Sequence, residues 1–226
     1  IVNGAERVIV SQLHRSPGAI FEEDVHPNGT HLNSARVIPF RGSWVEFSLD
    51  IRDVCHVHID KKKKFPVTAL LRALGYGTDE EIYEIFFDVG EIALTEEDKA
   101  GDPFLLGKVL AEDVVDEESG EVIVEKTTEI EEDVYERLER AERKKVKVYV
   151  SKAEDARDET PVVKSTLAKD PTDSEEEALY SIYSLLRPGD APNLKTAREA
   201  LERVFFNPKR YDLGRVGRYK INQRLK

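Results

Sequence analysis

Residues 35–75 read ARVIPFRGSWVEFSLDIRDVCHVHIDKKKKFPVTALLRALG, and their hydrophobic period changes part-way along. Three short runs rich in β-branched and aromatic residues come first, separated by polar connections, which is typical of an antiparallel meander. From Phe65 onward the apolar residues fall at helical spacing and stop at Gly75, a residue favoured just past a helix end. The sequence therefore predicts an α+β fold in which an antiparallel sheet packs with short helices. The three predicted strands are Ala35–Phe40, Val45–Asp50 and Val54–Ile59.

Further helices are expected beyond Gly75. Thr78 followed three residues later by Glu81 forms a capping box, which predicts a second helix start. Two later segments rich in apolar and charged residues are also predicted helices. Each is closed by a proline, which cannot continue a helix. One begins at Asp173 or Ser174 and ends near Pro188, and the other ends at Pro208. The sheet should thus pack with four or five helices.

The residues before the meander carry strand and turn signals. Glu6–Leu13 nearly alternate between apolar and polar residues, which predicts a strand. The polar residues 21–33 include Pro27, Asn28 and Gly29, which indicates an exposed hairpin tip.

The negative charge of the chain is concentrated in one segment. The net charge is -11, but residues 88–159 hold 24 acidic and 11 basic residues, a net of -13, which leaves 21 acidic and 23 basic residues elsewhere, a net of +2. Such asymmetry marks a module boundary. We predict a discontinuous main domain, 1–87 and 160–226, interrupted by a small β-rich insertion, 88–159. The insertion should contain two strands around the turn 116–120, a helix and a final strand.

Several functional classes find no support in the sequence. No apolar run approaches the roughly 20 residues of a membrane-spanning helix, and the first residues lack the pattern of a signal peptide. The single Cys55 cannot form an internal disulfide, which agrees with a reducing, cytoplasmic compartment. Phosphate-loop, zinc-helix and nucleophile-elbow motifs are missing. His56 and His58 could share one face of a strand, but the sequence offers no third metal ligand near them.

Several cations and one aromatic residue indicate a possible role in nucleic-acid binding. Lys61–Lys64 directly follow a predicted strand, and Arg41 and Trp44 bracket a tight connection. Phosphates are contacted by cations and unpaired bases by aromatic planes, so this combination fits a nucleic-acid surface. By residue type alone, the lysines also fit a solvated sheet edge and Trp44 also fits the core.

Five long strings resemble one family. They cover essentially everything outside the acidic segment and, in this order, resemble the beta subunit of bacterial RNA polymerase. They are IVNGAERVIVSQLHRSPG (1–18), ARVIPFRGSWVEF (35–47), HIDKKKKFPVTALLRALGY (58–76), LLRPGDAP (185–192) and FFNPKRYDLGRVGRYKIN (205–222). Because that subunit is several times longer, and because the chain starts at Ile1 and has no methionine, we expect a segment of a longer protein, and the resemblance identifies it as the lobe.

The resemblance implies a role on DNA. In the family, the lobe forms one jaw over the DNA channel and contacts the downstream duplex and the unpaired non-template strand. Carried over to this sequence, Trp44 would stack on an unpaired non-template base. The residues expected to line the path of that strand are Arg15, Asp60, Lys61, Lys62, Arg187 and Arg210. Lys61–Lys64 depart from the arginine-rich run of the family, so charge is retained but bidentate hydrogen bonding is lost.

The resemblance also implies partners and excludes a cofactor in this chain. Expected partners are DNA, the rest of the beta subunit, the beta-prime, alpha and omega subunits and a sigma factor, in a cytoplasmic, nucleoid-associated enzyme. The catalytic magnesium of the family is bound by aspartates of beta-prime, so no catalytic residue and no metal ligand are expected here. The alternative is a stand-alone interaction module that docks a regulator through its acidic insertion. An independent hydrolase or transferase is disfavoured. For the insertion itself, we favour a solubilising elaboration over a docking surface.

Overall fold

The computed structural model describes residues 1–94, 106–116, 120–141, 144–152, 160–191 and 193–225. In these ranges, a five-stranded antiparallel sheet, two two-stranded sheets and seven helices form a mixed α+β fold, as predicted. The strands are β1 (Gly18–Val25), β2 (His31–Ile38), β3 (Val45–Leu49), β4 (Cys55–Ile59), β5 (Phe65–Pro66), β6 (Phe87–Ala93), β7 (Val114–Val115), β8 (Val122–Val124) and β9 (Lys145–Ser151). The helices are α1 (Val67–Ala73), α2 (Asp79–Phe86), α3 (Glu132–Arg140), α4 (Thr160–Lys169), α5 (Glu175–Leu186), α6 (Leu194–Phe205) and α7 (Gly214–Arg224).

The large sheet has the strand order β1-β2-β3-β4-β5. Its strands β2, β3 and β4 correspond to the three predicted strands of the meander, whereas β1 and β5 were not predicted. Its register places Val45 opposite Ile59 and Phe47 opposite Val57. The buried face of the sheet packs on α1, α5 and α6, where Leu179 and Ile182 are almost fully buried. This core fixes β3 and β4, which carry the candidate surface described below.

The acidic segment has a core of its own and also contacts α2. Strand β6 pairs with β9, β7 pairs with β8, and α3 packs beside β8 over buried Leu110, Ile130 and Leu138. Tyr83 of α2 stacks on Tyr149 of β9, with 4.9 Å between ring centroids. The two strands and the helix expected in this segment are therefore present, while residues 117–119 and 142–143 of the expected turn and helix lie outside the described residues. The domain boundaries at 87/88 and 159/160 stay a prediction.

The predicted strand over Glu6–Leu13 is wrong. This segment runs without regular structure, and the side chains of Val8, Ile9 and Leu13 are 87%, 99% and 99% exposed. Alternation alone does not make a strand, because a strand needs a partner, and no strand of the described ranges pairs with it. None of the helices in those ranges has the length and apolarity needed to cross a bilayer.

Other boundaries were predicted with mixed success. The capping box of Thr78 and Glu81 is confirmed, as are the Ser174 N-cap and the position of Gly75 just past α1. The hairpin tip was predicted too long, because β1 and β2 continue to residues 25 and 31 and leave only the short turn between them. Helices α4 and α7 were missed, so the four or five expected helices understate the number.

A buried polar cluster ties α1 to α2 and to the connection between α4 and α5. The Asp170 carboxylate is fully buried and accepts hydrogen bonds from the hydroxyls of Thr68 and Thr172, both at 2.6 Å. Arg72, with 4% of its side chain exposed, lies 3.7 Å from Asp170 and pairs with Asp79 at the start of α2. Removing the Asp170 carboxylate would leave the hydroxyls of Thr68 and Thr172 without their buried acceptor, and Arg72 would keep only the 42% exposed Asp79 as a counter-charge.

We therefore expect Asp170→Ala to lower the free energy of unfolding by about 3 kcal/mol or more, because Arg72 loses its buried counter-charge. Urea denaturation of the 226-residue chain measures this. Asp24→Ala, which removes an exposed carboxylate from β1, should change stability by less than about 0.5 kcal/mol. Equal effects of the two substitutions would contradict the assigned role of the cluster.

Candidate nucleic-acid interface

A tight turn after β4 presents the first of the predicted site residues. The Lys62 N–H donates to the Ile59 carbonyl at 3.0 Å, and the two central residues, Asp60 and Lys61, have φ of 50° and 59°. Positive φ at both central positions is the signature of a type I′ turn, whose twist suits the antiparallel strands that it joins. The turn places the lysine run on the surface, and Lys61–Lys64 are all exposed.

Trp44 is paired with this turn through its backbone. The Trp44 N–H donates to Asp60 Oδ1 at 2.9 Å, and the Asp60 N–H donates to the Trp44 carbonyl at 3.0 Å. Trp44 is half-buried, which lies between the core position and the exposed position that its residue type left open. No aromatic ring contact of the described residues involves it. The Asp60 carboxylate therefore fixes the Trp44 backbone, a role that suits it better than facing phosphate.

The same turn reaches the C-terminal end of α5. Lys62 Nζ donates to the Leu186 carbonyl at 2.6 Å, and Arg187 follows directly. The Arg187 guanidinium is 55% exposed and lies 3.9 Å from the Asp190 carboxylate, at the outer limit of an ion pair. Residues about 125 positions apart in sequence, Lys62 and Arg187, are thus neighbours in the fold.

A second backbone contact places the Arg210 segment beside the loop 40–44. Arg41 and Asp212 form an antiparallel bridge with N–H to carbonyl distances of 3.0 and 2.8 Å. Gly42 has φ of 122°, and a Cβ there would lie 2.7 Å from Tyr211 Cδ2 and 3.0 Å from the Arg210 carbonyl oxygen. Only glycine therefore allows the two segments to approach this closely.

Arg15 lies next to the same loop by way of its neighbours. The ring of His14 packs edge-on against Phe40 at 6.3 Å, and Phe40 in turn contacts the start of α7 at Gly214. Lys220 of α7 donates to Ser16 Oγ at 2.7 Å. These contacts tie the Arg15 segment to the loop that carries Arg41 and Trp44.

The structure joins all seven predicted residues by a chain of contacts through the loop 40–44. Trp44, Asp60, Lys61, Lys62 and Arg187 form its tightest part, whereas Arg15 and Arg210 join it through neighbouring residues. Six of the seven are exposed and Trp44 is half-buried. In the described ranges, no side-chain hydrogen bond or ion pair involves the cations of three of them, which are Arg15, Lys61 and Arg210.

Sequence reasoning missed the residues that make these connections. Asp212, Tyr211 and Lys220 carry no local motif, and their importance comes from contacts with distant segments. The only signal in the sequence was indirect, because Gly42 and Gly214 stand in otherwise well-patterned stretches. The structure shows that both glycines have positive φ.

The histidines and the cysteine near this surface do not form a metal site. In the ranges that the structure describes, no three His, Cys, Asp or Glu side chains are placed to bind a metal ion. Burial, and then Lys64, lowers the pKa of His56 although Asp50 opposes the shift. Burial raises the pKa of the Cys55 thiol to about 11, so the thiol stays protonated and unreactive near neutral pH.

Comparison with known proteins identifies the family. The family model described as RNA polymerase Rpb2, domain 2, matches residues 15–118 and 122–226. The chain belongs to the RNA polymerase Rpb2 domain 2 family. The resemblance to a bacterial beta-subunit lobe, drawn from the sequence, is confirmed, and the Rpb2 domain 2 match continues through most of the acidic segment.

Individual relatives of this Rpb2 domain 2 chain agree. The DNA-directed RNA polymerase subunit beta of Salinibacter ruber is 49% identical over 242 residues, covering 100% of this chain and 19% of the relative. Those of Chlorobium luteolum and Protochlamydia amoebophila are 48% and 47% identical, again over 100% of this chain and over 17% and 18% of the relatives. The chain thus spans less than a fifth of the length of these relatives.

The close approach at Gly42 gives a test of the surface geometry. Gly42→Ala should destabilise the chain by about 2–4 kcal/mol, because about 1 kcal/mol of left-handed backbone strain adds to overpacking against Tyr211. Trp44 is the only tryptophan, so its fluorescence during urea unfolding reports the change beside it.

Gly29→Ala is the matched control. Gly29 has φ of 87° but nothing within 4 Å of an added Cβ, so it carries the backbone strain without the clash. Its expected cost is about 1 kcal/mol. Equal costs at the two positions would refute the close packing of the 210–212 segment on the loop 40–44.

Proposed function

We propose that this lobe domain contacts DNA within a DNA-directed RNA polymerase, holding the downstream duplex and the unpaired non-template strand while other subunits carry out synthesis. The observation that supports this best is the joining of Trp44 to exposed cations from four separate stretches of chain. These cations are Arg15, Lys61, Arg187 and Arg210. Family membership provides the context, because the relatives are named as beta subunits of that enzyme.

Trp44 is the proposed stacking platform. Asp60 is hydrogen-bonded to both the N–H and the carbonyl group of Trp44, which fixes the backbone that carries this half-buried residue. Opening a duplex unstacks its bases, and base stacking on an aromatic side chain returns about 1–3 kcal/mol per base without demanding one sequence. The indole would therefore favour the open state of a promoter.

The cations supply the phosphate contacts. Each Lys or Arg that neutralises a phosphate releases counterions, so the affinity that it adds falls as salt rises. The net charge of -11 does not oppose this role, because residues 88–159 account for -13 and the remainder for +2. The proposed contact residues all lie outside the acidic segment.

The rest of the enzyme completes the proposal. We infer that the chain acts with the rest of the beta subunit and with beta-prime, alpha, omega and sigma subunits, in the cytoplasm and associated with the nucleoid. Magnesium and nucleoside triphosphate chemistry would come from beta-prime, with no cofactor on this chain. The acidic segment is proposed as a solubilising elaboration. A stand-alone interaction module is not carried forward, since no contact described above favours it.

Trp44→Ala in a polymerase with a full-length beta subunit should shorten the lifetime of open promoter complexes by about fivefold to a hundredfold, which corresponds to the loss of one stacked base. Trp44→Phe should retain most of the lifetime. The measurement is the dissociation rate of preformed complexes after addition of a competitor. Tyr76→Ala, which removes an exposed aromatic residue outside the proposed contacts, is the control. An unchanged lifetime in Trp44→Ala would remove Trp44 from the mechanism.

Lys61→Ala tests the electrostatic part separately. Loss of one phosphate contact should make the negative slope of log affinity against log salt shallower by about 1, with little change in promoter preference. Arg140→Ala, which removes an exposed cation of the acidic segment, should leave the slope unchanged. Titration of promoter DNA at several salt concentrations gives the slope, and an equal slope in Lys61→Ala and the parent enzyme would exclude a phosphate contact there.

A further inference from the structure

The last turn of helix α5 has no basic side chain, and the basic C-cap residue that follows it, Arg187, lies 3.9 Å from the Asp190 carboxylate. The last carbonyl groups of a helix lack partners within the helix, and a cation near them is stabilising because the C-terminal end carries partial negative charge. The last turn of α5 contains no Lys, Arg or His. Lys62 provides the missing cation, because its ammonium donates to the Leu186 carbonyl at 2.6 Å from 124 positions earlier in the chain.

The position of Arg187 depends on this end of the helix. Arg187 is the C-cap residue, with φ of -134° and ψ of 77°, and its N–H donates to the Tyr183 carbonyl at 2.8 Å. Pro188 follows, and proline stops the helix and restricts the residue before it. Displacement of the last turn of α5 would therefore move the guanidinium of Arg187.

The Lys62 end of the contact is held equally firmly. The Lys62 N–H closes the type I′ turn on Ile59 at 3.0 Å, and Asp60, in the middle of that turn, exchanges two hydrogen bonds with Trp44. His58 Nδ1 lies 3.3 Å from the Lys62 carbonyl oxygen. A continuous set of hydrogen bonds therefore runs from the Trp44 backbone through the turn to the residue before Arg187.

We infer that Lys62 is a positioning residue, whose ammonium sets the place of Arg187 relative to Trp44 instead of contacting a phosphate itself. Lys61, its neighbour in the same turn, is left as the phosphate contact. This inference rests on the proposed function, since it divides the strand-binding cations into one that binds and one that orients. The type I′ turn leaves Lys61 exposed and brings Lys62 to the end of α5.

The test compares Lys62→Met with Lys61→Met in a polymerase that contains the full-length beta subunit. Methionine keeps the length of the side chain and removes the charge and the donors. Hydrogen exchange followed by mass spectrometry should show amides at the C-terminal end of α5 exchanging about tenfold faster in Lys62→Met, because a charge-assisted hydrogen bond has been lost. Lys61→Met should leave their exchange unchanged. Equal exchange in Lys62→Met and the parent enzyme would overturn the inference.

A double-mutant cycle with Arg187→Ala supplies the functional readout. If Lys62 acts through Arg187, Lys62→Met speeds open-complex dissociation in the parent enzyme and adds nothing in an Arg187→Ala background. Lys61→Met should multiply the rate by the same factor in both backgrounds. If Lys62→Met speeds dissociation by the same factor in the parent enzyme and in the Arg187→Ala background, Lys62 contacts DNA independently and the inference is overturned. If exchange rises in Lys62→Met while Arg187→Ala leaves dissociation unchanged, the anchoring contact stands and the proposed DNA role of Arg187 fails.

Discussion

Asp60 and Trp44 exchange two hydrogen bonds where β3 begins and β4 ends, and the candidate surface is arranged around this pair. Asp60 is also a central residue of the type I′ turn, which requires two residues with positive φ and therefore stores strain. The strain is maintained because β3 and β4 are fixed by the core beneath them. From that turn one lysine faces solvent and the next reaches α5, so a single backbone constraint positions an indole and several cations.

Charge in this chain is separated by position. In the acidic segment, basic side chains pair locally, as Lys145 does with Glu91 at 2.6 Å and Lys147 with Glu112 at 2.8 Å. The contact with Glu91 raises the pKa of Lys145, and the contact with Lys145 lowers that of Glu91. Those cations are committed to neighbouring carboxylates. Of the cations around Trp44, Arg15, Lys61 and Arg210 are exposed and form no ion pair among the residues that the structure describes.

Short sequence motifs predicted the helix ends that depend only on neighbouring residues. Gly75 marked the end of α1, and the capping box at Thr78 marked the start of α2, because both depend on residues within one turn. The strand expected over Glu6–Leu13 failed because pairing depends on a distant partner. The site followed the same division: residue types suggested Trp44 and the lysines, but the contact of Lys62 with α5 joins segments that no local pattern relates.

Site-specific cross-linking of open complexes tests whether the surface around Trp44 accepts a separated DNA strand. A photoreactive amino acid would replace Arg210, or Arg140 in the acidic segment as a control, in a polymerase with the full-length beta subunit. If the surface binds that strand, position 210 should cross-link efficiently to the non-template strand and position 140 should not cross-link to it. Cross-links from 210 to the template strand alone, or equal yields from both positions, would contradict it.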